Sequence, residues 1–190
     1  RRSRFVLSAV GPYQLYGTPV LEACLREGAG YVDMCGEPHW MAEMIRRFDG
    51  PARRKGVTAL LSCGFDSTVW ELGVMAVQET AIARYGRPAA EVRSRLLRMK
   101  GALSGGTAAT ARETVGKMLS SPQVAALLRD PFALTPGFRG PEQPDGEGVR
   151  FDPDIARTVG PILMAAINTK NIHRSNFLQD HRWGRDFRYE

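Results

Sequence analysis

Four side chains able to move a proton or hold a polar ligand fall in three short glycine-bearing stretches: Tyr13 in "VGPYQLYG", Asp33 and Glu37 in "DMCGEP", and Asp66 in "SCGFDS". A phenol and carboxyls can donate or accept protons in a reaction. Each stretch carries a glycine, respectively Gly11, Gly36 and Gly64. Each residue also has a structural reading. Gly11-Pro12 reads as a turn that starts a crossover, and Tyr13 as a core tyrosine with its hydroxyl satisfied. Asp33 and Asp66 read as turn or helix-capping residues. Glu37, just before Pro38, reads as a charge favouring the positive end of the helix that follows.

Other chemistries have less support. A GxGxxG phosphate loop is absent. "SGGT" at 104–107 could wrap an anion but reads first as a glycine turn before a helix. Cys24, Cys35 and Cys63 are odd in number and widely spaced, which argues against a disulfide framework and points to a reducing, cytoplasmic setting. His39, His173 and His181 lack metal-ligand spacing, so no metal site is expected. Asn168, Lys170 and Arg174 recur along a helix and read either as its polar face or as contacts for an acidic substrate. The formal charge is +6, from 26 basic against 20 acidic residues. The basic cluster at 53–55 carries no aromatic residue and that at 84–100 only Tyr85 at its start, so they read as solvated faces and no nucleic-acid partner is expected. No apolar run reaches the roughly 18 residues of a membrane span, and no signal-peptide pattern opens the chain.

The elements that would position these residues alternate. Residues 5–10 are apolar or small on both faces, as in a parallel strand covered on both sides. A helix is expected from Thr18-Pro19 to Gly28, buried through Val20, Leu21, Cys24 and Leu25. "GYVDMCGE" supplies a second strand. Trp40, Met41, Met44, Ile45 and Phe48 then recur at helical spacing up to Gly50-Pro51. "GVTALLSCG" reads as a third buried strand. Such alternation makes a parallel sheet with right-handed crossovers, and the three loops after its strands share the edge where ligands bind.

After Gly64 the pattern changes. A long helix is expected over 69–85 with Val69, Leu72, Ala76 and Val77 inward. A strand of a second, antiparallel sheet is expected over 91–100. Helices are expected over 107–119, 122–128 and 160–178, the last with Ile162, Leu163, Ala166 and Ile167 inward. A Pro/Gly-rich, flexible loop is expected near 130–153. The fold class is therefore α/β, the C-terminal half of a Rossmann-type parallel sheet followed by a different arrangement after Gly64.

The stretches "VLSAVGPYQLYGTPVLEACLREGAGYVDMCGEPHWM", "GVTALLSCGFDSTVWELGV", "LSGGTAAT", "GPILMAAINTKNIHRSN" and "WGRDFRYE" resemble the saccharopine dehydrogenase-like oxidoreductases, a family that includes the mycobacterial trans-acting enoyl reductases. The resemblance implies an NAD(P)-binding domain over 1–64 that lacks its glycine-rich part, followed by part of an α+β second domain, the substrate domain, over 65–190, with a boundary near 64/65. Both chain ends are accordingly expected to be cuts through a longer protein. The resemblance also implies NADP or NAD as cofactor, held by Gly11, Pro12, Tyr13, Asp33, Gly36, Glu37, Gly64 and Phe65. Asp66 and Tyr13 would handle protons. The expected reaction is hydride transfer to or from the C=C of an enoyl group or the C=N of an imine, on a small-molecule or acyl substrate, and a homodimer is compatible with this. The alternative from another class is a non-catalytic Rossmann-like scaffold or nucleotide sensor.

Overall fold

The computed structural model describes residues 3–101, 105–144, 146, 148–162 and 164–190. Ser104 of the "SGGT" turn and Leu163 lie outside the described residues. The fold is a mixed, partial Rossmann-like α/β arrangement. Strand β1 (Phe5–Ser8) leads to helix α1 (Tyr13–Glu27), β2 (Gly30–Asp33), α2 (Pro38–Lys55) and β3 (Ala59–Leu60). The three strands are parallel in the order β1-β2-β3, with Ser8 opposite Asp33 and Val32 opposite Leu60.

Helices α1 and α2 cover one sheet face, and the main core lies between: Leu21, Cys24, Leu25, Tyr31, Trp40, Met41, Met44 and Ile45 are buried there. The expectation of strands buried on both faces is corrected. Phe5 is 55% and Leu7 70% exposed, because all the helices of this half pack on the side that carries Tyr31 and Asp33. The third strand is likewise shorter than expected, two residues with both side chains exposed.

Helix α1 begins at Tyr13, not at Thr18-Pro19. A remote carboxylate satisfies its first amides, as described below. Thr18 instead accepts a 2.9 Å hydrogen bond from Trp40 Nε1, and Pro19 lies inside the helix. The expected stop at Gly28 is present, with φ of 66° and its amide bonded to the Cys24 carbonyl. Helix α2 runs through Gly50-Pro51 to Lys55. Buried Ala52 anchors its last turn in the core, and Gly56, at φ 62°, ends it.

Helix α3 (Phe65–Tyr85) presents the face opposite to the expected one. Ser67, Val74 and Gln78 are buried, whereas Val69, Leu72, Ala76 and Val77 are exposed. The amide of Gln78 holds the turn after the helix, accepting from Ala89 N at 2.8 Å and donating to the Ala89 carbonyl at 2.9 Å. Only Glu91–Val92 (β4) of the expected 91–100 strand forms, and it pairs in parallel with β7 (Arg188–Tyr189). Helices α4 (Gly105–Ser120) and α5 (Pro122–Arg129) follow, then an antiparallel pair, β5 (Arg150–Asp152) with β6 (Arg157–Val159), and α6 (Ala165–Leu178).

In the segment before β5, Leu134 is fully buried in the main core and Phe132 packs on His173 at a ring distance of 4.4 Å. A second core gathers Val74, Val92, Ile172, Trp183, Phe187 and Tyr189 around α3, α6 and β7. Of the residues read as a polar face of α6, Asn168 and Lys170 are buried and Arg174 is partly buried. Lys170 Nζ donates to the carbonyls of Leu128 at 2.8 Å and Ala166 at 2.9 Å, and so closes the end of α5. No described helix is long and apolar enough to cross a membrane.

Candidate functional site

The loops after β1, β2 and β3 meet at one edge of the sheet, and all three stretches singled out in the sequence lie there. Their contact is close. A Cβ added at Gly64 would stand 3.3 Å from Met34 Cβ, and one at Gly11 would stand 3.5 Å from Thr110 Oγ1 of α4. At Gly36 the same atom would meet open space.

Within this edge, three of the four candidate side chains form a buried scaffold. Glu37 is inaccessible to solvent, and its carboxylate accepts from the amides of Tyr13 (2.6 Å) and Gln14 (2.9 Å). It therefore caps α1, the preceding helix, and not α2 as its position before Pro38 suggests. Burial pushes its carboxyl above the ordinary range, and the two amides oppose that shift. The Tyr13 hydroxyl donates to the Ser8 carbonyl at 2.9 Å and accepts from Met34 N at 3.2 Å, tying the ends of β1 and β2 together. Desolvation raises this phenol to about 12.

Asp33 links the other pair of loops. Its Oδ1 accepts from Cys35 N at 3.0 Å and from Ser62 N at 2.7 Å. Burial raises this carboxyl too. Ser62 sits at φ 64°, an unfavourable region for a residue with a side chain. Its oxygen is held by Ser67 Oγ at 3.2 Å and by Asn171 Nδ2 at 2.9 Å. Asn168 Nδ2 donates to the Asp66 carbonyl at 3.0 Å, so α6 fixes the start of α3.

Against this scaffold, Asp66 is the one exposed carboxyl of the three loops, in the first turn of α3. Each loop also leaves one large apolar side chain to solvent: Val10 is 50%, Met34 48% and Phe65 80% exposed. An edge of this composition, with open backbone at Gly36, fits a flat, partly apolar ring such as nicotinamide. The amino terminus of α1 does not fit a phosphate, because Glu37 already places an anion on its amides.

Sequence reasoning did not single out Ser62 or Thr110 and gave Asn171 no role. Local periodicity carries no signal for them, since each acts through a contact with a distant segment. Next to this edge, the free side of β3, together with α2, α3 and α6, forms a cleft of about 510 Å³ lined by Ser62 and Cys63 of the third loop and Ser67 of the first turn of α3.

No family model and no solved structure matches the chain. It is similar to curated mycobacterial proteins. A Mycobacterium tuberculosis protein provisionally named a trans-acting enoyl reductase is 34% identical over 198 residues, which cover 99% of this chain and 47% of the relative. The trans-acting enoyl reductase of Mycobacterium bovis is 33% identical over 201 residues, and that of Mycobacterium ulcerans 33% over 198, with the same coverage. The chain thus spans about half the length of the curated relatives it matches.

Proposed function

We propose that the chain is the nicotinamide-side part of an NAD(P)-dependent enoyl reductase of the saccharopine dehydrogenase-like type, acting in the cytoplasm on an acyl substrate. The observation that carries this reading is the meeting of three post-strand loops at one sheet edge, in a chain similar over nearly its whole length to proteins named trans-acting enoyl reductase. Residues 1–64 form the nucleotide side and 65–190 the substrate side. The cofactor phosphates are held outside these residues.

When bound, the nicotinamide supplies a hydride to the electrophilic carbon of the enoyl double bond. Val10, Met34 and Phe65 would provide apolar contacts for the ring, and the backbone at Gly11, Pro12, Gly36 and Gly64 would let it approach the edge. Tyr13, Asp33 and Glu37 act as positioning residues: they fix the loops to one another, and precise placement is the main contribution a protein makes to such a step. Asp66, exposed at the mouth, exchanges the proton required at the adjacent carbon.

The test is reduction of an enoyl thioester by NADPH or NADH, using the chain extended at its amino terminus with a glycine-rich half-sheet. The proposal predicts turnover by the extended protein, and a kcat lowered by about 10²-fold in Asp66→Asn with the fold intact. A folded extended protein that oxidises neither nucleotide in the presence of enoyl thioester would favour the non-catalytic scaffold.

A further inference from the structure

The cleft beside β3 is lined mainly by apolar side chains, with Ser62, Cys63 and Ser67 where it adjoins the third loop and Asp49, Arg53, Glu71 and Arg174 elsewhere in the lining. Met44, Ile45, Phe48, Leu60, Leu72 and Leu178 form its walls. The polar groups at the loop end are already occupied: the side chains of Ser62, Ser67 and Asn171 bond to one another. The two cations of the lining, Arg53 and Arg174, face Asp49 at 2.7 and 3.6 Å, Arg174 also donates to the Leu134 carbonyl at 2.8 Å, and Glu71 is hydrogen-bonded to Ser175. The walls therefore make no demand for a charged or strongly polar ligand. The volume of about 510 Å³ lies within the range of small-molecule sites.

We infer that this cleft holds the alkyl portion of an acyl substrate, with the end nearest the reacting group at the Ser62–Cys63 loop. The inference rests on the enoyl-reductase reading and names where that substrate lies. A peptide is a poorer occupant. β3 offers an edge of only two residues, Ala59–Leu60, so most backbone amides of an inserted segment would face Met44, Phe48 and Leu72 without partners, which is costly. An alkyl chain carries no such groups, and it gains from every methylene it removes from water. The Ser62–Cys63 end of the cleft also immediately precedes Gly64 and the first turn of α3 that carries Asp66, so a chain seated there ends beside the proposed reaction edge.

The chain supplies its own reporter. Cys63 is exposed and lines the cleft, whereas Cys24 and Cys35 are buried. The experiment titrates the 190-residue chain, without nucleotide, with N-acetylcysteamine thioesters from butanoyl to decanoyl, and follows affinity by calorimetry and Cys63 alkylation by maleimide. The expected result is tighter binding with chain length, by up to about fourfold per methylene, and slower alkylation of Cys63 in the presence of the decanoyl thioester. Leu72→Asp and Leu178→Asp alter exposed side chains on the cleft rim, so folding is retained, and each should flatten the length dependence.

Affinity independent of chain length, or a length dependence unchanged in both variants, would overturn the inference. So would self-association of the chain that Leu72→Asp abolishes, since the cleft would then be a surface for a second copy. The outcome is separable from the reading on which it rests. Nucleotide binding and turnover without length-dependent acyl binding defeat the cleft alone. Length-dependent acyl binding in a protein that, once extended, binds no nucleotide defeats the reductase reading and leaves an acyl-binding cleft.

Discussion

The carboxylate of Glu37, in the loop after β2, closes the amino terminus of α1 by accepting the amides of Tyr13 at 2.6 Å and Gln14 at 2.9 Å. A helix that starts on a proline has no side-chain cap of its own, and here the second loop supplies it to the first. The same bond explains why the helix begins five residues before Thr18 and why its positive end is closed to phosphate. Glu37→Gln keeps the shape but turns one of the two acceptor oxygens into an N–H donor. It should cost about 1–3 kcal/mol, read as a lower urea midpoint with an unchanged slope.

Tyr13→Phe separates structural from chemical use of the phenol. The hydroxyl bridges the Ser8 carbonyl and the Met34 amide, so its loss leaves a buried acceptor and a donor unpaired, at a cost of about 1–3 kcal/mol. Equilibrium unfolding measures this directly. Single-turnover reduction by the extended protein should fall only as far as the loops loosen, whereas a proton donor would also alter the pH profile.

The crossing of α1 and α2 depends on Gly17. A Cβ at this position would come within 2.7 Å of Trp40 Cζ2 and 3.1 Å of Tyr13 Cβ. Gly17→Ala must push the helices apart, and thermal unfolding should show a loss of about 1–3 kcal/mol, despite the better helix propensity of alanine.

Burial lowers the His173 imidazole to about 4 from 6.5. Its Nε2 lies 3.0 Å from Gln143 Oε1, and Phe132 and Phe187 pack on the ring. Between those two pH values the unfolded chain binds a proton that the folded chain does not. This stability is therefore fully present above pH 6.5 and is lost as pH falls toward 4. Replacing the ring by glutamine should reduce the steepness of that loss, measured as the urea midpoint at a series of pH values.

Much of this architecture is legible in the sequence, and the failures have physical causes. Gly28 ends a helix because only a residue tolerant of positive φ fits there, which is a local rule, so the reading succeeds. The alternation of strand and helix is equally visible because each element announces its own periodicity. The start of α1 is not visible, since its cap comes from Glu37, far along the chain. The passage of α2 through Gly50-Pro51 depends on the burial of Ala52 and is hidden for the same reason. Residues 69–77 of α3 show apolar residues on one face, yet the buried face is that of Ser67, Val74 and Gln78. There a buried glutamine that holds Ala89 outweighs hydrophobicity. The candidate site shares this pattern. The sequence places Tyr13, Asp33, Glu37 and Asp66 on one edge, but only the structure separates the three that hold the loops together from the one that faces solvent.

The central claim is that the edge formed by the three loops receives nicotinamide. The most direct measurement follows the backbone amide resonances of Gly11, Gly36 and Gly64 while NADPH or NADH is titrated into the amino-terminally extended protein. Saturable shifts at these glycines, with one of the two nucleotides and also in Asp66→Asn, are the predicted result. A folded protein whose glycine resonances stay fixed with both nucleotides, or whose shifts fall away from this edge, would contradict the account.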